Sequence, residues 1–297
     1  MPMVRALPRN IQLKLEQTLS QWPHWHCTPE LTRAPNVVRI LTAGISNFSV
    51  LVESGQHFVV RLDGLDPASN GLNRQTEWRT LEAAHSAGLA PHPCYFNPEL
   101  GSLVCDYLAP EAAYNLDITD VGQLLRAIHQ LPARHHRLNL AERILQYEKR
   151  LQRKGQQLNA GLRKSANKVS AILSEINCKP SNAVLCHNDL LQANRIYSAG
   201  RLWAIDWEYC AMGSPWYDLA VVANGDLLSE VETEALMTAY LGRTADAQER
   251  SLLDQYSCIY RYLELLWYLA LEKPVLNAAA IEEKSAALIN LLSQRST

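Results

Sequence analysis

The chain has 297 residues and a mass of 33.4 kDa, enough for a large core in one bilobed domain or two ordinary ones. With 47% hydrophobic and 20% charged residues and a formal charge of -2, it reads as a soluble globular protein with no polyanionic, nucleic-acid partner. No signal peptide is expected from Met1 to Ser20, the longest apolar stretch (Tyr262 to Leu271, with Glu264 inside it) is too short to span a bilayer, and seven scattered cysteines read as free thiols in a reducing cytoplasm.

After an N-terminal helical segment (1–36) come three short β-rich segments: Val38–Leu41, Asn47–Glu53 and His57–Leu62. The last two are joined by Ser54-Gly55-Gln56. Asn73–Ala87 has the periodicity of a helix, with Trp78, Leu81 and Ala84 on one side and Gly88 near its end. Pro91 and Pro93 interrupt regular structure after that helix, and Leu103–Tyr107 reads as a further strand. Residues 37–108 are therefore predicted to form a small lobe of sheet and one helix, and residues 109–297 a larger, mainly helical lobe.

In that second lobe Thr119 reads as an N-cap, with Val121, Leu124, Leu125 and Ile128 forming a buried stripe. Ala141–Ile176, rich in Lys, Arg and Gln, reads as a solvated helical hairpin. A strand, Ala183–Cys186, leads into His187-Asn188-Asp189. Further helices are predicted at Leu219–Ala223, Glu230–Leu241, Ala247–Leu271 and Ala278–Leu292.

The segment His187-Asn188-Asp189, with Asn194 and then Asp206-Trp207-Glu208, carries the chemistry. Between Asn194 and Asp206, two apolar runs flank a turn at Ser198-Ala199-Gly200, which predicts a β-hairpin with both residues at the same end. Asn194 and Asp206 offer hard oxygen donors suited to Mg²⁺, and Asp189 is placed to orient a substrate hydroxyl and take its proton. That is the spacing of phosphoryl-transfer enzymes of the kinase type. His187, at the strand exit, is assigned to bracing the loop. Ala43 to Asn47 lies between two strands, where backbone amides and the Ser46 hydroxyl could cover phosphate oxygens or simply form a β-turn. Arg61 takes the place where such enzymes carry a strand Lys, and Glu77 on the next helix is its expected partner.

Together these residues resemble the choline/ethanolamine kinase family, including bacterial choline-kinase and thiamine-kinase members of the aminoglycoside-phosphotransferase superfamily. The resemblance covers about residues 37–270. It rests on Gly44-Ile45-Ser46-Asn47, Val59-Val60-Arg61, Glu77, Gly88-Leu89-Ala90-Pro91, Cys186 to Asp189 with Asn194, Ile205 to Tyr209, and Trp216 to Ala220. It implies an α+β, bilobed protein-kinase-like fold binding ATP and Mg²⁺ in the interlobe cleft. Asp189 would then be the base and Asn194 and Asp206 the metal ligands. Ser46 and Asn47 would lie in the phosphate loop, with Arg61 and Glu77 as the phosphate-positioning pair. Asp106 to Leu108 would form the adenine hinge, and Asp218 a structural anchor. The run Leu190 to Ala193 departs from the family's usual residues and bears on the acceptor.

For the acceptor, Trp207, Glu208 and Tyr209 come directly after the metal aspartate. Tyr260, Glu264, Trp267 and Tyr268 share a helix face at three- and four-residue spacing. Aromatic faces with one carboxylate suit a cationic alcohol such as choline or ethanolamine; the same stripe also reads as core. Thiamine is the near alternative, an aminoglycoside phosphotransferase or a non-catalytic nucleotide-binding protein the more distant ones. The sequence sets no oligomeric state.

Overall fold

A computed structural model describes residues 7–43, 46–111, 117–156, 158–177, 182–271 and 274–294. Two compact units emerge, one from residues up to 116 plus 194–210, the other from 117–193 plus 211–297. Compactness thus divides the chain differently from the linear partition expected. The hairpin after the Asp189 loop goes with the first unit because its backbone is bonded there. Ala204 N–H donates to the Leu89 carbonyl (2.8 Å), and Glu111 N–H to that of Tyr197 (3.0 Å).

The first unit opens with α1 (Arg9–Ser20), then β1 (Asn36–Ala43), β2 (Asn47–Ser54) and β3 (Gln56–Asp63), α2 (Arg74–Ser86), β4 (Pro93–Asn97) and β5 (Ser102–Asp106). All five strands pair antiparallel in the order β1-β2-β3-β5-β4. Side chains alternate across a strand. Phe58, Val60 and Leu62 of β3 therefore enter a core with Ile11, Leu15, Trp25, Val50, Val52 and Val104, each burial contributing roughly 1.5–3 kcal/mol. The intervening Arg61 and Asp63 belong to the opposite face. β4 is not foreseen because Pro91 and Pro93 read as breakers; Pro93 opens an edge strand, where a missing N–H costs no ladder bond.

Asn73 caps α2, its side-chain oxygen accepting from Thr76 N–H at 2.9 Å. The hairpin of this unit, later in the chain, is β7 (Arg195–Ser198) and β8 (Arg201–Ala204). Ala199 (φ 52°) and Gly200 (φ 73°) both take the left-handed turn conformation that a two-residue hairpin requires.

The second unit contains α3 (Ile118–Ile128), α4 (Leu140–Arg153), α5 (Ala160–Asn177), β6 (Val184–Cys186), β9 (Ala211–Gly213), α6 (Pro215–Gly225), α7 (Glu230–Leu241), α8 (Ala247–Ala270) and α9 (Ala278–Gln294). Asp117 caps α3, accepting from Thr119 N–H at 2.9 Å, so Thr119 lies inside the helix and is not its cap. The carboxylate wins the cap because it is the better acceptor for a first-turn N–H and suits the positive helix end. The stripe Val121, Leu124, Leu125 and Ile128 is buried as expected. α3 packs on α7, and α4 and α6 on α8. Among the described residues, no helix is long and apolar enough to cross a membrane.

Candidate active site

In the sheet unit a buried ion network surrounds the end of the hairpin. Arg61 Nη1 lies 2.5 Å from Glu77 Oε1 and 2.7 Å from Asp206 Oδ1. Arg74 bridges Asp63 (2.5 Å), Glu77 (2.8 Å) and Glu208 (3.1 Å). Asn47 Nδ2 donates to Glu208 Oε2 at 2.9 Å. Burial opposes the charge on every member. The guanidinium groups of Arg61 and Arg74 outweigh it for Glu77, whose carboxyl stays below the usual range. Burial prevails for Asp63, Asp206 and Glu208, whose carboxyls are all raised.

Two guanidinium groups thus face four carboxylates, each of them paired with at least one arginine, and the network carries a formal surplus of two negative charges. Asp206 is the most open member, its side chain 30% exposed. It also takes φ 60°, a left-handed conformation costly for a residue with a Cβ. Ile205 N–H donates to the Asn194 carbonyl at 2.9 Å, which brings Asn194 and Asp206 to the same end of the hairpin. Hard oxygen donors, a surplus of two negative charges and partial exposure fit a divalent cation such as Mg²⁺.

The other expected residues of this unit divide. Ser46 is half-buried and its carbonyl accepts from Gly64 and Leu65; Gly44 and Ile45 of the same loop lie outside the described residues. Leu108 is half-buried just beyond β5, while the Asp106 side chain accepts a bond from the Cys94 thiol (3.4 Å). Trp207, expected against the acceptor, is 1% exposed with its indole N–H on the Ala204 carbonyl (3.1 Å), so it is core. Glu208 is likewise corrected: it is buried in the ion network, where Arg74 and Asn47 hold it. Tyr209 is half-buried. Both corrections have one cause, the short helical turn Trp207–Tyr209 that packs on α2.

In the helical unit, β6 delivers the chain to the Asp189 loop and pairs with β9. Asp218, fully buried in the first turn of α6, holds that loop through its main chain. Its carboxylate accepts from His187 N–H and Asn188 N–H, both at 2.8 Å, and from His129 Nε2 at 3.0 Å. The other His129 nitrogen meets the Tyr240 hydroxyl at 2.8 Å. Burial alone would raise the Asp218 carboxyl, but these donors hold it below the usual range. Asn188 takes φ 62°, and this strained bend precedes the half-buried Asp189. His187 is fully enclosed, and its bond to Asp218 is made by its backbone.

The α8 stripe lies in the same unit. Tyr260 is buried, and Glu264, Trp267 and Tyr268 are half-buried. Burial and then the charge of Glu264 raise the hydroxyls of Tyr260 and Tyr268, and the charge of Asp189 contributes to both. Lys284 of α9 reaches Glu264 at 2.9 Å and lies 5.5 Å from the centre of the Tyr268 ring. Trp267 packs edge to face against Tyr268 (4.9 Å). The seven residues expected around the acceptor are therefore split, 207–209 in one unit and 260, 264, 267 and 268 in the other. Sequence reading missed Arg74, Asp63, His129 and Lys284. Of these only Arg74 left a signal, three residues before Glu77 on a predicted helix.

The antiparallel sheet with its arginine–glutamate pair, and the helical unit with its aspartate loop, have a protein-kinase-like fold. It is similar to a choline/ethanolamine kinase family protein from Mesorhizobium loti (TM-score 0.74, 23% identity, 94% of this chain and 95% of that one). It is also similar to the choline kinase LicA from Streptococcus pneumoniae (TM-score 0.73, 21% identity, 94% and 98% covered). The chain belongs to the phosphotransferase enzyme family, whose match spans residues 37–253. Within that family it is similar to choline kinases and the related LicA proteins. Protein LicA from Haemophilus influenzae is 25% identical over 240 residues, 76% of this chain and 70% of the relative. A thiamine kinase from Escherichia coli is 30% identical over 200 residues, 62% of this chain and 65% of that kinase, so the chain spans just under two thirds of its length.

Proposed function

We propose that this protein transfers the γ-phosphoryl group of ATP to the hydroxyl of a small cationic alcohol, choline or ethanolamine first. The observation that carries the cationic acceptor is the α8 stripe. It already accommodates an ammonium group, that of Lys284, between the Glu264 carboxylate and the Tyr268 ring, in a unit where the charge of Asp189 reaches the same tyrosines. Choline and ethanolamine present the same chemistry, a positive nitrogen two carbons from a primary hydroxyl.

In this reading Asp189 orients the attacking hydroxyl and receives its proton as the new P–O bond forms. Asn194 and Asp206 hold Mg²⁺, which when bound neutralises charge on the nucleotide phosphates. Arg61, kept charged between Glu77 and Asp206, clamps phosphate oxygens. Ser46 and the backbone around it cover the phosphates, and the segment Asp106 to Leu108 lies along the adenine. Asp218 sets the position of Asp189 through the two amides before it. Thiamine is the second reading, favoured by the 30% identity to thiamine kinases; it too is a cation with a primary alcohol.

The test is an ATP-consumption assay against choline, ethanolamine, thiamine, kanamycin and simple sugars, with the phosphorylated product identified by mass spectrometry. Turnover with choline or ethanolamine at least ten-fold above the rest is expected. A preference for kanamycin or a sugar would overturn the cationic-alcohol reading.

A further inference from the structure

Away from the ion network, the sheet unit gathers four side chains with the chemistry of a metal centre. His92 precedes β4, Cys94 lies within it, Asp106 ends β5, and Cys27 comes from the segment between α1 and β1. The ligand atoms of His92, Cys94 and Asp106 all lie within 4.8 Å of one another. Cys94 Sγ is 3.6 Å from His92 Nδ1 and 3.4 Å from Asp106 Oδ1. Cys27 and Cys94 belong to the same buried core cluster.

These separations have a simple meaning. Zinc bonds of about 2.3 Å to sulfur and about 2.0 Å to nitrogen or oxygen place tetrahedral ligand atoms roughly 3.5 Å apart. Two thiols, an imidazole and a carboxylate also match zinc in softness, whereas magnesium and calcium favour all-oxygen sites. Both thiols are enclosed (Cys94 0% and Cys27 5% exposed), while His92 and Asp106 are half-buried and leave a way in. The surroundings hold the ligands in place. Asp106 N–H donates to the His92 carbonyl (2.9 Å), His26 N–H to the Cys94 carbonyl (2.7 Å), and the His85 ring packs edge to face on His92 (4.8 Å).

We propose that His92, Cys94, Asp106 and Cys27 bind one zinc ion, which ties the segment after α1 to the edge strand β4 and the end of β5. His92, Cys94 and Asp106 are already gathered, and Cys27, from the same buried core cluster as Cys94, completes the set by a side-chain rotation. Binding forms two zinc–thiolate bonds and releases the two thiol protons to solvent; no electron moves.

The test uses the tag-free, full-length chain under reducing conditions. After zinc loading and dialysis against a weak chelator, mass-spectrometric metal analysis is expected to find about one zinc per chain. Cobalt in its place should give visible d–d bands of tetrahedral intensity and a near-ultraviolet thiolate-to-cobalt band. Cys94→Ser should lose the metal, and His92→Gln and Cys27→Ser should each weaken zinc binding about ten-fold or more, with circular dichroism checking that each variant is folded. A wild-type chain that retains no zinc and gives no thiolate–cobalt band, or a folded Cys94→Ser chain that keeps full stoichiometry, would overturn the assignment. So would a Cys27–Cys94 disulfide persisting under these conditions.

Discussion

Arg61 and Asp206 are 145 residues apart in sequence, yet the guanidinium Nη1 lies 2.7 Å from the Asp206 carboxylate. The same nitrogen meets Glu77, so one cation holds the strand, the helix and the hairpin end together inside the sheet unit. A buried charge shared in this way is costly to strip of its partners, because no water replaces them.

Arg61→Ala should therefore lower stability by about 3 kcal/mol, since Glu77, 2% exposed, keeps only Arg74 as a cationic partner. Urea titration followed by tryptophan fluorescence measures it. Arg61→Lys should recover most of the stability while leaving the nucleotide KM raised, because an ammonium cannot present the planar fork. Equal nucleotide KM values for Lys and Arg would remove the phosphate-clamping role.

Asp189→Asn should bind nucleotide as the parent does and lose about 10²–10⁴-fold in kcat, the range for removing a proton acceptor. Calorimetry for binding and single-turnover assays for chemistry separate the two quantities. Turnover within about three-fold of the parent, far short of that range, would take Asp189 out of its role.

Asp218→Asn tests the anchor of the loop. Two backbone N–H groups face the carboxylate, so an amide must turn its NH₂ toward one of them or toward His129, and a buried donor is left unpaired. Its folded pKa is depressed below the unfolded value of about 3.9. The stabilisation is therefore present above that unfolded value and is lost as pH falls through the lower folded one. In the variant the acid side of the stability–pH profile should lose this step, and kcat should fall with little change in nucleotide KM. An unaltered acid limb would show that Asp218 carries no such linkage.

Lys284→Met should remove the protein's own ammonium from Glu264 and Tyr268. With contacts of this kind contributing about 1 kcal/mol, the KM for a cationic acceptor should fall roughly three- to ten-fold, with the nucleotide KM unchanged. Trp267→Ala should act the other way, raising the acceptor KM more than the nucleotide KM. Parallel shifts in both constants would detach this helix face from the acceptor.

Much of the architecture is legible in short-range pattern. The period-two run of β3, the capped helix after it, the Ala199-Gly200 turn and the long helices α7 to α9 all announce themselves, because each is decided by residues within a few positions. Where a local signal has two readings, the sequence errs: Pro93 reads as a breaker but opens an edge strand, and Thr119 yields its cap to the nearby carboxylate of Asp117. Among the candidate site residues, spacing singled out Asp189, Asn194 and Asp206, and the resemblance to kinases added Arg61 and Glu77.

The sequence by itself determined the chemistry on offer, an acid, an amide and a second acid at the spacing of a loop and a hairpin, because those positions are linked by local geometry. Only the tertiary structure decided which groups are spoken for. Trp207 turned into the core, Glu208 was taken by Arg74 and Asn47, and Glu264 received Lys284 from the next helix. Charge pairing and burial are settled between segments far apart in the chain, and no periodicity along one segment records which partner arrives from another.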